Sequence, residues 1–357
     1  MNPSHPVQRT RGVRPALAAT AIAACIAPLA AQAQASSVTV YGLFDAAVRQ
    51  ADNASTGDRL RTMEDGIMTG SRLGWRGREE LGGSMAAVFT MESGFDPSSG
   101  VSLQATPTAD YGQAQATTRF WGREIHVGLR GPIGGVTLGR QYTVAHAVTA
   151  RLQPLGNPNS TAHSVFSSHH IARQDNVVKL DGKLGGVEVV VGHTFGEQSG
   201  SANDTNAVSV TYSQGPVFLG AYTQRLRNLA GTETRTIHGG GGSFKFNDTL
   251  QLFAAAMQRS SAVSPQKNRV WMLGANVVLL PQVTLSLSYF DDSQTGSAAL
   301  TGARKLSWLS ANYMFSKRSD VYVVLDQNTV SGNYSKPAFM GKLGRQNGMV
   351  FGMRHRF

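Results

Sequence analysis

The feature that most limits what this chain can fold into is a period of two in its hydrophobicity. Val38, Val40, Phe44, Ala46 and Val48 share one parity, and Thr39, Tyr41, Asp45 and Arg49 share the other. Val187, Val189, Val191 and Phe195 repeat the pattern. So do Val283, Leu285, Leu287 and Tyr289, with Thr284, Ser286 and Ser288 between them, and Leu309, Ala311, Tyr313 and Phe315 near the end. Strand side chains alternate between two faces, whereas a helix returns its apolar residues every three or four positions. No stretch keeps the helical period across three turns. The pattern predicts an all-β chain of many amphipathic strands.

Tight turns are expected at Leu81-Gly82-Gly83, Gly131 to Gly135, Asp181-Gly182-Lys183, Gln214-Gly215-Pro216, Asn247-Asp248, Leu280-Pro281-Gln282 and Ser316 to Ser319. Longer polar segments lie near 51–68, 96–119, 143–172, 197–204, 227–233, 260–267, 292–303 and 331–345. Short and long connections alternate strictly: seven short and eight long, hence fifteen connections and sixteen strands. The strands are expected at about 37–50, 69–79, 84–94, 120–131, 135–142, 173–182, 185–196, 205–214, 217–226, 234–246, 249–259, 268–280, 282–291, 304–315, 320–330 and 346–357. Turns at one end and loops at the other, with an even strand count, predict a transmembrane antiparallel β-barrel of the outer-membrane type. Lipid tolerates no open strand edge, so the sheet must close. Sixteen strands leave an aqueous lumen where eight would fill with side chains. A soluble sandwich would also alternate, but it has no need of strands this long or of loop lengths that alternate.

Composition agrees. Hydrophobic residues make up 41%, which excludes a disordered chain, and the single cysteine, Cys25, excludes a disulfide scaffold. Beyond the N-terminal segment no apolar run approaches the ~18 residues of a helical span. Residues 1–14 carry Arg9, Arg11 and Arg14 and no acid, residues 15–30 are small or apolar, and 31–35 read AQAQA. That is the pattern of a secretory signal peptide over residues 1–35, cleaved after Ala33 or Ala35, ahead of a single barrel domain at 36–357. A loose lipoprotein box ending at Cys25 competes with it, but the apolar stretch runs on through Leu29 to a better site. The full chain has a net charge of +11. Its basic residues are scattered and the chain is exported, so no nucleic-acid partner is expected; lipopolysaccharide phosphates and small anions are.

Four segments in order, SSVTVYGLFDAAV at 36–48, SRLGWRGREELGG at 71–83, VGLRGPIGGVTLGRQYT at 127–143 and the ending GMRHRF, resemble the trimeric porins of Gram-negative bacteria, nearest the branch common in beta-proteobacteria. The resemblance runs through the mature chain. It implies a sixteen-stranded barrel in the outer membrane, a homotrimer, and a third loop folded inward to narrow the pore. It also implies that the terminal Phe357 is an assembly signal read by the barrel-insertion machinery.

The third loop, Tyr142 to Gln174, holds Arg151 and Arg173, and His146, His163, His169 and His170, but no Asp or Glu. At about 33 residues it is too long for an idle connection. In cation-preferring porins this loop supplies carboxylates, so their absence puts a cation preference in doubt. On parity, Arg72, Arg76 and Arg78 face inward, as do Arg173, Lys179 and Asp181, and Glu124, His126 and Arg130. Arg123 is formally outward unless a bulge turns it. The resemblance implies that Arg72 and Arg173, and more weakly Arg123, form a basic wall at the constriction. Fixed arginines raise local anion concentration. Alternatively they pair with lumen acids such as Asp45, Glu124 and Asp181. The histidines either add charge below about pH 6.5 or are plain loop residues.

The expected function is therefore passive diffusion of small hydrophilic solutes with anion preference, with a solute-specific anion channel as the alternative. No catalytic residue, metal or cofactor is expected. His238 before Gly239 to Gly242 resembles an esterase oxyanion loop, but no G-x-S-x-G accompanies it. A barrel enzyme such as a lipase would need a lipid-facing Ser–His pair, and neither His193 nor His355, both on lipid parity, has an evident serine. N-terminal sequencing of the membrane-purified protein is expected to start at Gln34 or Ser36. A lipid-blocked Cys25 would overturn the signal-peptide reading.

Overall fold

The computed structural model describes residues 36–104, 111–112, 118–342 and 344–357. The signal segment at 1–35 lies outside them. The strands are β1 (Ser37–Ala54), β2 (Gly57–Asp65), β3 (Arg72–Gly82), β4 (Met85–Phe95), β5 (Ser102–Leu103), β6 (Glu124–Arg130), β7 (Gly134–Tyr142), β8 (Arg173–Leu184) and β9 (Val187–Thr194). They continue as β10 (Thr205–Gln214), β11 (Val217–Arg227), β12 (Thr234–Lys245), β13 (Leu250–Ser261), β14 (Lys267–Leu280), β15 (Val283–Thr295), β16 (Gly302–Met314), β17 (Ser319–Gly332) and β18 (Arg345–Arg356). A short helix, α1 (Val144–Thr149), follows β7.

Every strand pairs antiparallel with its neighbours, and β1 closes the sheet on β18, from Leu43↔Arg356 to Ala51↔Gly348. The eighteen segments fill sixteen places in the barrel. The lower half of β1 pairs with β3 and the upper half with β2, so these two share one place on either side of a break at 66–71. β5 is a two-residue ladder on β4. The terminal residue joins the closure: Gly42 N donates to Phe357 O and Phe357 N to Gly42 O, both at 3.1 Å. The Phe357 ring lies where a Cβ on residue 42 would stand, so that position needs glycine.

The two faces invert the order of a water-soluble protein. On β15, Leu287 is 43% exposed, while Ser286 and Ser288 flanking it are 1% and 3% exposed. Valine and leucine are outside and serine inside, which suits a sheet whose outer solvent is lipid. Aromatic pairs mark the edges of the apolar band. Tyr313 packs edge-on against Phe315, and Phe244 against Phe246, near the short turns. Phe195 and Phe120 hold similar contacts near the long loops.

Two expectations are corrected. The segment near 51–68 is mostly strand: β1 runs on to Ala54 and turns tightly into β2, because the barrel wall here continues past the membrane as a hairpin. The fourth predicted strand, 120–131, starts only at Glu124. Arginine at the centre of the lipid face of a barrel costs about 2–4 kcal/mol, falling to ~0–1 near the interface. Leu287→Arg is therefore expected to lower unfolding free energy by about 2–4 kcal/mol in denaturant titrations of the vesicle-folded protein. Ser293→Arg, outward but near the long-loop end of β15, is expected to cost less than ~1 kcal/mol.

Candidate functional site

Arg72 opens β3 opposite Gly94 of β4, which places Glu92 diagonally across from it on the same face. Arg72 Nη1 lies 3.7 Å from Glu92 Oε1, and Arg123 Nε donates to that same oxygen at 2.5 Å. Tyr41 Oη donates to Glu92 Oε2 at 3.0 Å. Tyr142, at the end of β7, links the next group. Its hydroxyl accepts from Arg123 Nη2 at 2.8 Å and Arg173 Nη2 at 2.6 Å. The Arg173 guanidinium also covers the Tyr142 ring at 4.2 Å, and Lys179 Nζ donates to the Tyr142 carbonyl at 2.7 Å. Arg76 is exposed over the Tyr41 ring. Glu124 pairs across the sheet with Glu92, beside His126.

Arg72, Arg123, Arg173 and Lys179 thus share one wall with Glu92 and Glu124, four cations against two carboxylates. Arg123 corrects the parity reading. The chain leaves strand geometry before Glu124, Arg123 N bonds to Glu92 O, and the side chain turns in until it is 3% exposed. Of the expected acid partners, Asp181 does pair with an inward arginine, Arg130, whereas Asp45 is corrected: it accepts from Tyr322 Oη at 2.6 Å and Thr69 N at 2.9 Å. Glu92 was missed, although it is an acid on the inward parity of an amphipathic strand and could have been found that way.

The segment after Tyr142 runs against this wall and the opposite one. Thr143 Oγ1 caps α1 by accepting from His146 N, and Ala145 N donates to Gln224 of β11. Arg151 stays 44% exposed on its side chain, over the Phe218 ring at 3.9 Å and 3.9 Å from Glu188. It lines a cavity of about 240 Å³ together with Arg130, Lys179 and Asp181. Further on, Arg304 Nη2 donates to Thr161 O and Asn328 Nδ2 to Ala162 O. His163 Nε2 lies 3.1 Å from Asp326 Oδ2, which Arg49 also holds at 2.8 Å, and His169 Nε2 lies 2.6 Å from Asp292 Oδ2. Asn159 N reaches Ile67 O in the break between β2 and β3. The wall partners in these contacts, Gln224, Arg304, Asn328, Asp326, Arg49 and Asp292, are buried on the inward parity. Two histidines pair with each other instead, His146 Nδ1 lying 3.0 Å from His170 Nε2.

Among the described residues no cluster of His, Cys, Asp and Glu could hold a metal ion. One outward pair departs from expectation: His355 Nδ1 does have a serine, Ser319 Oγ at 2.9 Å. No carboxylate backs that ring among the described residues, so the contact is not a triad.

Residues 18–333 match the model of the Gram-negative porin family. The chain belongs to that family. It is 26% identical to an outer membrane porin protein of Bordetella pertussis and to outer membrane porin protein 32 of Delftia acidovorans, each match covering 94% of this chain and 98% of the relative. Its fold superposes on an anion-selective porin from Comamonas acidovorans with a TM-score of 0.75, at 22% identity, over 90% of this chain and 100% of that one. The trimer form of OmpT of Vibrio cholerae superposes with a TM-score of 0.66 at 14% identity, over 90% and 99%. The porin is an outer-membrane channel for passive diffusion, not an enzyme.

Acid should loosen the third loop of this porin. Burial, with the charge of neighbouring His169, pushes His170 down to about 3. Burial, then His170 and the nearby cations, holds His146 well below the ordinary range. A depressed histidine stabilises the fold while it stays neutral. That contribution is complete above about pH 6.5 and is lost as pH falls toward about 3. Protease cleavage within 143–172 is expected to rise over that window, and to rise less in His170→Leu, as read by gel after limited digestion.

Proposed function

We propose that this porin prefers small anions, and that its third loop narrows the lumen opposite a basic wall. The observation that carries the reading is the charge balance. Arg72, Arg123, Arg173 and Lys179 outnumber Glu92 and Glu124 on the wall, and the loop from Tyr142 to Gln174 adds Arg151 but no carboxylate. Arg76 extends the same field. Clustered fixed charge between low-dielectric walls concentrates counter-ions and repels co-ions. Arginine suits the task because it stays charged and presents planar donors to carboxylate and phosphate. The anion-selective relative from Comamonas acidovorans supports the reading.

The remaining expectations belong to the same proposal. Residues 1–35 are the export signal, and Phe357 is read by the insertion machinery. The assembly is a homotrimer in lipid and lipopolysaccharide: the trimeric relative supports the trimer, and the outward apolar residues, among them Phe44, Val48, Phe351 and Met353, support the lipid contact.

The test is the zero-current potential across a planar bilayer under a potassium chloride gradient. Chloride preference is expected, and potassium preference overturns the reading. Arg173→Gln is expected to lower the chloride-to-potassium permeability ratio by a factor of about two to ten, the low end of field-focusing effects. Arg123 is a poorer probe, since its loss leaves Glu92 short of a partner.

A further inference from the structure

Two arginines face the lumen away from that wall and form no ion pair among the described residues; Asp292 acts on Arg259 only from a distance. Arg235 lies near the start of β12 and Arg259 near the end of β13, both at the long-loop end. Ile237 stands directly across from Arg259, so Arg235 is its diagonal neighbour on the same face. That face is the inner one: Ile237 and Met257 on the same parity are buried, whereas Gln258 is exposed. Like charges at this spacing repel.

The groups nearby are already committed. Asp292, reached from Arg259 through its cross-strand partner Asn268, accepts from Asn268 Nδ2 and Tyr334 Oη and contacts His169. Glu233 accepts four backbone N–H groups, of Thr234, Ala262, Val263 and Ser264. Among the described residues neither arginine makes a hydrogen bond or ion pair, and the Nε of each is buried without an acceptor. Arg235 has one fixed contact. Its guanidinium covers the Tyr111 ring at 4.2 Å, and Gln174 holds the Tyr111 carbonyl from below. The stacked ring orients the guanidinium, and among the described residues no acceptor meets its donor edges.

We propose that Arg235 and Arg259 form a second anion-binding site in the lumen, for small oxyanions that carry carboxylate or phosphate. Two planar donor forks on one face, one of them oriented by an aromatic ring and both without an acceptor among the described residues, match a dianion better than chloride. The site would capture such solutes at the long-loop mouth, four strands round the barrel from β8. The inference rests on the anion-channel reading and adds a solute class to it.

The probes are inorganic phosphate and succinate, added to both sides of a bilayer holding channels in potassium chloride. Both are expected to reduce the chloride current of the wild type. In the Arg235→Ala/Arg259→Ala variant the half-blocking concentration is expected to rise about tenfold, the loss of roughly one charge-assisted contact. The sign of its zero-current potential is expected to stay. If that variant does not assemble, Arg235→Gln/Arg259→Gln decides by the same criterion. An unchanged half-blocking concentration in a conducting variant overturns the site. Potassium preference in the wild type overturns the anion reading instead, so the two failures are separable. Block by one probe only assigns the site to that oxyanion and upholds it.

Discussion

Everything in this molecule depends on hydrogen-bonding the backbone of β1 along both edges. An unpaired strand edge has no partner in hydrocarbon, where each lost hydrogen bond is costly. β1 meets the requirement with three partners: β18 on one edge, β3 and then β2 on the other. Closure through β18 brings the last residue against Gly42, so the C-terminus is part of the wall. Once the ring is shut, the period of two assigns the strand side chains to lipid or lumen, and across the apolar band charge gathers inside.

Gathered charge brings its own condition. A buried ion must be paired, and breaking one such pair by removing a partner typically costs about 3–5 kcal/mol. Asp326 is held by Arg49 and His163, and Asp292 by His169, Asn268 and Tyr334. In both, a loop histidine supplies part of what a wall carboxylate needs. The acids missing from the loop are therefore present on the wall it touches, and the same contacts that satisfy them fasten the loop. Apolar burial adds to the fastening, since Val148, Val165 and Phe166 are buried in one cluster with Ile67.

The barrel was legible in the sequence because its physics is local. Val283 to Tyr289 alternate, short turns such as Leu280-Pro281-Gln282 and Ser316 to Ser319 mark where strands end, and topology follows from counting. The site was legible only as far as parity holds. Arg72 and Lys179 sit where alternation puts them, while Arg173 reaches the same wall across a register shift between Gln174 and Val177. Arg123 does not, because the chain bends at 121–123 before β6 and turns the side chain in, and no periodic pattern reports a bend. Glu92 went unnoticed for another reason: its importance is relational, set by Arg72 across the strand pair and Arg123 thirty-one residues away. The histidines of the loop were ambiguous for the same reason, since their partners Asp326 and Asp292 lie far along the chain.

Glu92 also shows why counting arginines misjudges a pore. Its carboxylate sits between Arg72 and Arg123, with Tyr41 on its second oxygen, so it lowers the mutual repulsion of the cations without reaching Arg173. Arg173 is held by Tyr142, through its hydroxyl and the face of its ring, with Glu124 near enough to attract it. The wall can thus keep several guanidinium groups close together and still leave positive charge uncancelled. On the proposed anion reading, a permeating ion would meet that excess, held in place in part by a tyrosine that does not cancel it. A tyrosine between two arginines is as much a part of the field as the arginines themselves.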